Sequence, residues 1–329
     1  MEKKRLYYID IAKGIAIFLV VLGHTYRGNI VQNWLYSFHM PLFFFISGWL
    51  YEGKNNFEDG FPKFVLKRTR RLLIPYFVFL MLNFVYWIIV ERHFRSFDQG
   101  PLWFLPVLLI DECIVAVVVN EIKNNNRKKL CAFLFFVVIL LCIGNLGIDY
   151  DGIIGWMVRC YNGIVWYYAG FCVSGYIKEK SERILNNRSS WLYILFFLFL
   201  NLLFGCNNGR VDMYENRFND VFLYVLAAFS GIFFCFGISA VIGRNKALEY
   251  LGKNSLIIMC THEPIKRAII QVISILTHAS SESIRNNILI GFIIAIFVVF
   301  VEIIVIEILR LLSRATKGKR IHIFFEYIK

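Results

Sequence analysis

The chain has 329 residues, of which 58% are hydrophobic, 17% aromatic and only 18% charged, with a formal net charge of +13. That balance lies far from the globular average, which excludes a water-soluble domain and describes an all-α, polytopic membrane protein. The positive charge falls in short segments between apolar runs, where it orients a membrane protein, so no nucleic-acid partner is expected.

A membrane span needs about 20 mainly apolar residues. Ten stretches meet this requirement, near 8–27, 34–52, 72–90, 101–120, 130–147, 156–177, 190–206, 220–242, 250–272 and 288–312. The segment from Met1 to Arg5 and the apolar run after it resemble a secretory leader. Asp10 and Lys13 interrupt that run and no cleavage pattern follows, so it is expected to remain as an anchor. Of the 36 Lys and Arg residues, 25 fall in one set of alternating connections, 6 in the other and 5 within spans. By the positive-inside rule both termini are cytoplasmic. No connection is long enough for a second folded domain, so residues 1–329 are expected to form one membrane domain. The 8 cysteines show no C-x-x-C and no zinc spacing with histidine. They read as small apolar packing residues, with neither metal nor disulfide expected.

The first span carries Asp10, Lys13 and His24. At 100° per residue, Lys13, Ile17, Val21 and His24 point within about 60° of Asp10, so the polar groups share one stripe. Along the axis Lys13 and His24 are about 16 Å apart at 1.5 Å per residue. Ionisable groups in hydrocarbon are costly and mark a pathway or a reaction site. The plainer alternative is a local Asp10–Lys13 pair at the interface, with His24 bonded to a carbonyl.

The second span, Trp34 to Tyr51, follows a turn containing Arg27, Gly28 and Asn29, which predicts that the two spans are antiparallel neighbours with His24 and His39 at similar depth. Pro41, Ser47 and Gly48 favour a bent, closely packed helix. A basic stretch follows, in which Arg68 and Arg71 share a helix face. Their fork-shaped guanidinium groups suit phosphate, although such clusters also serve orientation and anionic lipid. A nucleotide end held by Lys13, Arg68 and Arg71 would let a thin acyl-bearing arm rise beside the first helix to His24. Coenzyme A has that shape, and the imidazole there could deprotonate a hydroxyl or carry the acyl group itself.

Five stretches carry a family resemblance: YIDIAKGIAIFLVVLGH (Tyr8 to His24), FHMPLFFFISGWL (Phe38 to Leu50), KRTRRLLIPY (Lys67 to Tyr76), GPLWFL (Gly100 to Leu105) and LGKNSLIIMCTHEPI (Leu251 to Ile265). In these the chain resembles the membrane-bound acyltransferase family 3, especially its fucose 4-O-acetylase-like sugar O-acetyltransferases. The resemblance implies an essential basic residue upstream of the first-helix histidine, at the spacing of Lys13 and His24. Arginine is usual there, and lysine leaves a point charge in place of a fork. It also implies an Arg-x-x-Arg matching Arg68 and Arg71, acetyl-CoA as donor from the cytoplasm, and an extracytoplasmic or lipid-linked sugar as acceptor. Some members carry a further C-terminal hydrolase-like domain; none is expected here.

On this reading the protein is an O-acetyltransferase of the bacterial inner membrane. His24 is general base or acyl carrier, with Asp10 tuning Lys13. Lys13, Arg68 and Arg71 hold the acetyl-CoA phosphates. His39, Trp103, His262 and Glu263 are candidates for the acceptor side. Trp103 is otherwise an interfacial belt residue, and Glu263 otherwise pairs with Lys266 or Arg267 at i+3 or i+4. Arg159 and Glu302 read as structural or interfacial. The competing class is a transporter or flippase of glycan intermediates, with the polar stripe as a path; no inverted repeat supports it.

Overall fold

The computed structural model describes residues 7–51, 60–92, 100–122, 125–146, 150–184 and 189–315, without the side chains of 175–190, 313 and 315. Among them are thirteen α-helices: α1 (Tyr7–Thr25), α2 (Asn29–Tyr36), α3 (His39–Leu50), α4 (Phe61–Ile89), α5 (Phe104–Ile122), α6 (Asn126–Gly144), α7 (Gly152–Ile184), α8 (Ser189–Asn207), α9 (Val221–Ile242), α10 (Lys246–Lys253), α11 (Ser255–Thr277), α12 (Ser281–Asn286) and α13 (Ile288–Ala315). A 3-10 turn, Gly100–Trp103, leads into α5. The described residues form no β-strand; one isolated bridge joins Asp212 and Arg217. Helix is what a lipid solvent demands, because each segment must satisfy its own backbone polar groups. Side-chain caps close several helix starts: Asn125 accepts from the Lys128 amide, Asp220 from Leu223 and Ser280 from Ser283, as such residues do for the orphan amides of a first turn.

Each of the ten apolar stretches is helical where described, and among the described residues five helices are long and apolar enough to cross a membrane: Tyr7–Thr25, Phe61–Ile89, Gly100–Ile122, Val221–Ile242 and Ile288–Leu312. The protein is an all-α polytopic membrane bundle. Two stretches differ from the sequence reading. The second breaks at Ser37 and Phe38 into α2 and α3, so Pro41 lies in the first turn of α3, where its missing N–H costs nothing. At 12 residues, α3 is about 18 Å long at 1.5 Å per residue, well short of the roughly 30 Å hydrocarbon layer. The ninth divides into α10 and α11 at Asn254, and α11 runs on through Pro264.

Contacts separate the chain into two compact units. The first takes in Met1–Ala16, Asn29–Phe61 and Val107–Gly252; the second takes in Ile17–Gly28, Pro62–Pro106 and Lys253–Lys329. Helix α1 contributes to both.

In the first unit the major packings are α8 on α9 and α3 on α7. Helix α3 packs on both α7 and α9. Glycine makes the α3–α7 approach close. A Cβ at Gly48 would fall 1.7 Å from the Tyr167 carbonyl oxygen, and one at Gly170 would fall 1.9 Å from that of Phe45. Small residues let membrane helices approach in this way. Neutral polar groups tie the unit internally. Asn201 accepts from Trp34 Nε1 at 2.5 Å and donates to the Ala227 carbonyl at 2.7 Å. Asn162 accepts from Trp166 Nε1 at 2.8 Å and from the Tyr224 hydroxyl at 3.1 Å. Arg159, read as structural, lies over the rings of Trp156 and Tyr214.

In the second unit α11 packs against α13 and against the 3-10 turn. Thr261 donates to Glu302 Oε2 at 2.7 Å, and Glu302 is fully buried. Phe18 meets Phe292 edge to face, which seats the second half of α1 beside α13.

Candidate active site

The site is built from the C-terminal end of α1, the middle of α11 and the short helix α12, all in the second unit. Residues 262, 263, 266 and 267 recur at i, i+1, i+4 and i+5, so they occupy one broad face of α11. His262 and Lys266 are buried, at 0% and 3% exposure, while Glu263 and Arg267 are half-buried.

Glu263 is the hub. Its Oε2 accepts from Lys266 Nζ at 2.6 Å and its Oε1 from Arg267 Nε at 2.8 Å. Oε2 also stands 3.8 Å from His24 Nδ1. The sequence left either cation as the partner of Glu263, and the structure engages both. His24 is partly exposed, its side chain at 30%. The carboxylate on the Nδ1 side favours the hydrogen there and leaves Nε2 with its lone pair, the usual way a carboxylate fixes an imidazole tautomer.

His262 supplies a second imidazole, its ring centroid 5.1 Å from that of His24. Its Nδ1 lies 2.9 Å from the Ile258 carbonyl. A carbonyl only accepts, so Nδ1 carries the hydrogen, and the buried Nε2 has no hydrogen-bond partner among the described residues. A buried basic nitrogen without a partner is costly unless a ligand satisfies it.

Two residues at this site were not legible in the sequence. Arg285 donates from Nη2 to the His24 carbonyl at 2.6 Å and from Nε to the Thr25 carbonyl at 3.2 Å. It thereby satisfies the last carbonyls of α1, which no amide of that helix can reach. Trp87, near the end of α4, stacks under Arg267 with the guanidinium carbon 4.5 Å from the ring centroid. A cation in a short connection reads as a topology signal, and a tryptophan at a helix end reads as a belt residue, so neither offered a signal.

The remaining candidates are distributed as follows. Arg68 and Arg71 lie on α4, Arg68 half-buried over the Phe64 ring at 5.3 Å and Arg71 exposed. Trp103 is buried at 5% in the 3-10 turn against α11, which does not suit a lipid-facing belt residue. Asp10, buried at 6%, and half-buried Lys13 lie on the half of α1 that belongs to the first unit. A Cβ at Gly252 would fall 1.8 Å from the Asp10 carbonyl oxygen, so α10 abuts α1 there. His39 also belongs to the first unit, buried at 3%, with Nδ1 2.6 Å from the Leu35 carbonyl and its ring edge-on to Tyr36.

Ligand atoms of His24, His262 and Glu263 lie within 4.8 Å of one another, near enough to hold a metal ion. The donor set argues against one. Both oxygens of Glu263 already accept from cations, and Lys266, Arg267 and Arg285 surround the group, where a further cation is repelled.

Three comparisons bear on this arrangement. A family described as an acyltransferase domain matches residues 6–307. "Nodulation protein NolL" of Sinorhizobium fredii is 44% identical over 77 residues, covering 20% of this chain and 21% of the relative. The protein of the same name from Mesorhizobium japonicum is 41% identical over 80 residues, covering 20% of each. The chain thus spans about a fifth of the length of these curated relatives. No solved structure matches.

Proposed function

Because the chain belongs to the acyltransferase 3 family of membrane proteins, we propose that it transfers an acetyl group from acetyl-CoA to a hydroxyl of a cell-surface or lipid-linked sugar. The observation that carries this reading is the His24 imidazole backed by the Glu263 carboxylate, with His262 Nε2 open beside it.

The donor end rests on Arg68 and Arg71 of the second unit, guanidinium groups of the kind that hold phosphate. Acetyl-CoA bound there supplies an activated acyl thioester. His24 Nε2 takes the proton of the acceptor hydroxyl as its oxygen bonds to the acyl carbon and the carbon–sulfur bond breaks. The proton then passes to the departing sulfur. Glu263 stabilises the imidazolium formed on the way, and an oriented base of this sort contributes about 10²- to 10⁴-fold. The same Nε2 is the atom that would bear the acetyl group in a two-step route. His262 Nε2 accepts a hydrogen bond from the acceptor, and Trp103, packed against α11, shapes the surroundings. Asp10 tunes Lys13. The protein acts in the bacterial inner membrane with both termini in the cytoplasm.

The test is purified protein in detergent with radiolabelled acetyl-CoA and crude lipid-linked glycans. Label moving to the glycan in wild type and not in His24→Ala supports the assignment. Glycan transport without label transfer refutes it.

A further inference from the structure

We infer that the acyl acceptor carries an oxyanion, a carboxylate or a phosphate, which docks on the guanidinium of Arg267 while its sugar ring lies against Trp87. This rests on the acyl-transfer reading and names the class of its substrate.

Charge at the His24 end of the second unit is the starting point. One carboxylate, Glu263, is shared by two cations, Lys266 and Arg267, so the pair keeps one positive charge over. Glu91 interacts with Tyr86, and it makes no ion pair with Arg267 among the described residues. An excess of positive charge in a low-dielectric setting is expensive unless an anion answers it.

The donor does not supply that anion. Arg68 and Trp87 lie on the one helix α4, 19 residues apart, which is about 28 Å at 1.5 Å per residue. A coenzyme A molecule with its phosphates at Arg68 and Arg71 has only its uncharged pantetheine arm left to reach towards His24. The cations at the other end of α4 therefore face the second substrate.

Arg267 is shaped for this contact. Its Nε is committed to Glu263 and its plane rests on Trp87, so the guanidinium is held in a fixed pose. The two Nη groups have no hydrogen-bond partner among the described residues, and the side chain is 35% exposed. Fixed, paired N–H groups match carboxylate and phosphate oxygens in a bidentate manner. The indole offers an apolar face for a sugar ring beside them, and His24 lies on the other side of the shared carboxylate.

The experiment uses full-length protein in phosphatidylcholine nanodiscs, with tryptophan fluorescence following three probes of equal alkyl length. These are octyl β-glucoside below its micellar concentration, octyl β-glucuronide, and the octyl phosphodiester of glucose. At least one anionic probe is expected to bind ten times more tightly than the neutral one. Which of the two does so tells carboxylate from phosphate. Arg267→Gln should erase the preference, Arg267→Lys should retain part of it, and Trp87→Phe should weaken all three probes. Equal binding of neutral and anionic probes by the wild type overturns the inference, and needs no variant to fold. So does a preference that survives Arg267→Gln in protein of native elution volume. Acetyl transfer is scored separately: a preference for anions without transfer to any acceptor refutes the enzymatic reading and leaves the anion site standing. If transfer to neutral and anionic acceptors falls equally in Arg267→Gln, the residue serves the reacting oxygen, and the inference fails.

Discussion

The two units handle buried polarity in different ways. In the first, Asn162, Trp166 and Tyr224 form a neutral triangle, and Asn201 links Trp34 to the Ala227 carbonyl. Asp111 is the exception there, a fully buried carboxyl with no hydrogen-bond partner among the described residues, and Asn162 Nδ2 has none either. In the second, Glu263, Lys266, Arg267 and Arg285 gather full charges around two imidazoles, and donor and acceptor capacity remains on Arg267 and His262. Hydrogen bonds between neutral groups in membranes are worth about 0.6 kcal/mol on average and fasten helices at little risk. Charges impose a heavier cost and are retained where chemistry uses them.

The sharpest way to break this contrast is at His24. His24→Ala should lower acetyl transfer by about 10²- to 10⁴-fold, the range for an oriented general base, while the half-exposed position leaves the thermal midpoint nearly unchanged. A variant that keeps a tenth of wild-type turnover in the radiolabel assay would remove the residue from catalysis. Next in size is Glu263→Ala, which strands two partly buried cations. Loss of one partner from a buried pair costs about 3–5 kcal/mol, read as a large fall in the unfolding midpoint together with lost transfer. Unchanged stability would show that the ionic group is not held as described.

Arg71→Ala, at an exposed cation on α4, sharpens the donor end. It should raise KM for acetyl-CoA about tenfold, or 1.4 kcal/mol, with kcat close to wild type, because ground-state phosphate binding is lost uniformly. A fall in kcat at unchanged KM would contradict that role. The smallest effect belongs to the neutral network: Asn162→Leu should cost about 0.6–1.7 kcal/mol of stability and leave the kinetic constants for acetyl-CoA alone. Kinetic damage without loss of stability would mean that the first unit's network takes part in the reaction.

Much of the fold was legible because the lipid solvent writes a simple code. Ten apolar stretches were sought and each is helical where described. Reading the second apolar stretch as one span misses the break at Ser37 and Phe38, although Tyr36, Ser37 and His39 lower the hydropathy there. At the site, local spacing carried its own information. Glu263 with Lys266 and Arg267 at i+3 and i+4 is readable on paper, and so is the stripe from Lys13 to His24. What spacing cannot give is a meeting between distant segments. Trp87 under Arg267 and Arg285 on the end of α1 join residues 180 and 261 positions apart. Trp103 shows the same limit from the other side: its sequence context fits a membrane surface, and its place against α11 buries it.

The bond from Arg285 to the end of α1 has a bearing on biogenesis. At about 5–20 residues per second, the ribosome needs roughly 13–50 seconds to pass from His24 to the arginine that fastens its carbonyl. For that interval the nascent protein holds its histidine on an unfinished helix end, and Glu263, Lys266 and Arg267 also emerge late. The ionic group around Glu263 and the fastening of the α1 end are therefore completed together and late, once α12 has been translated.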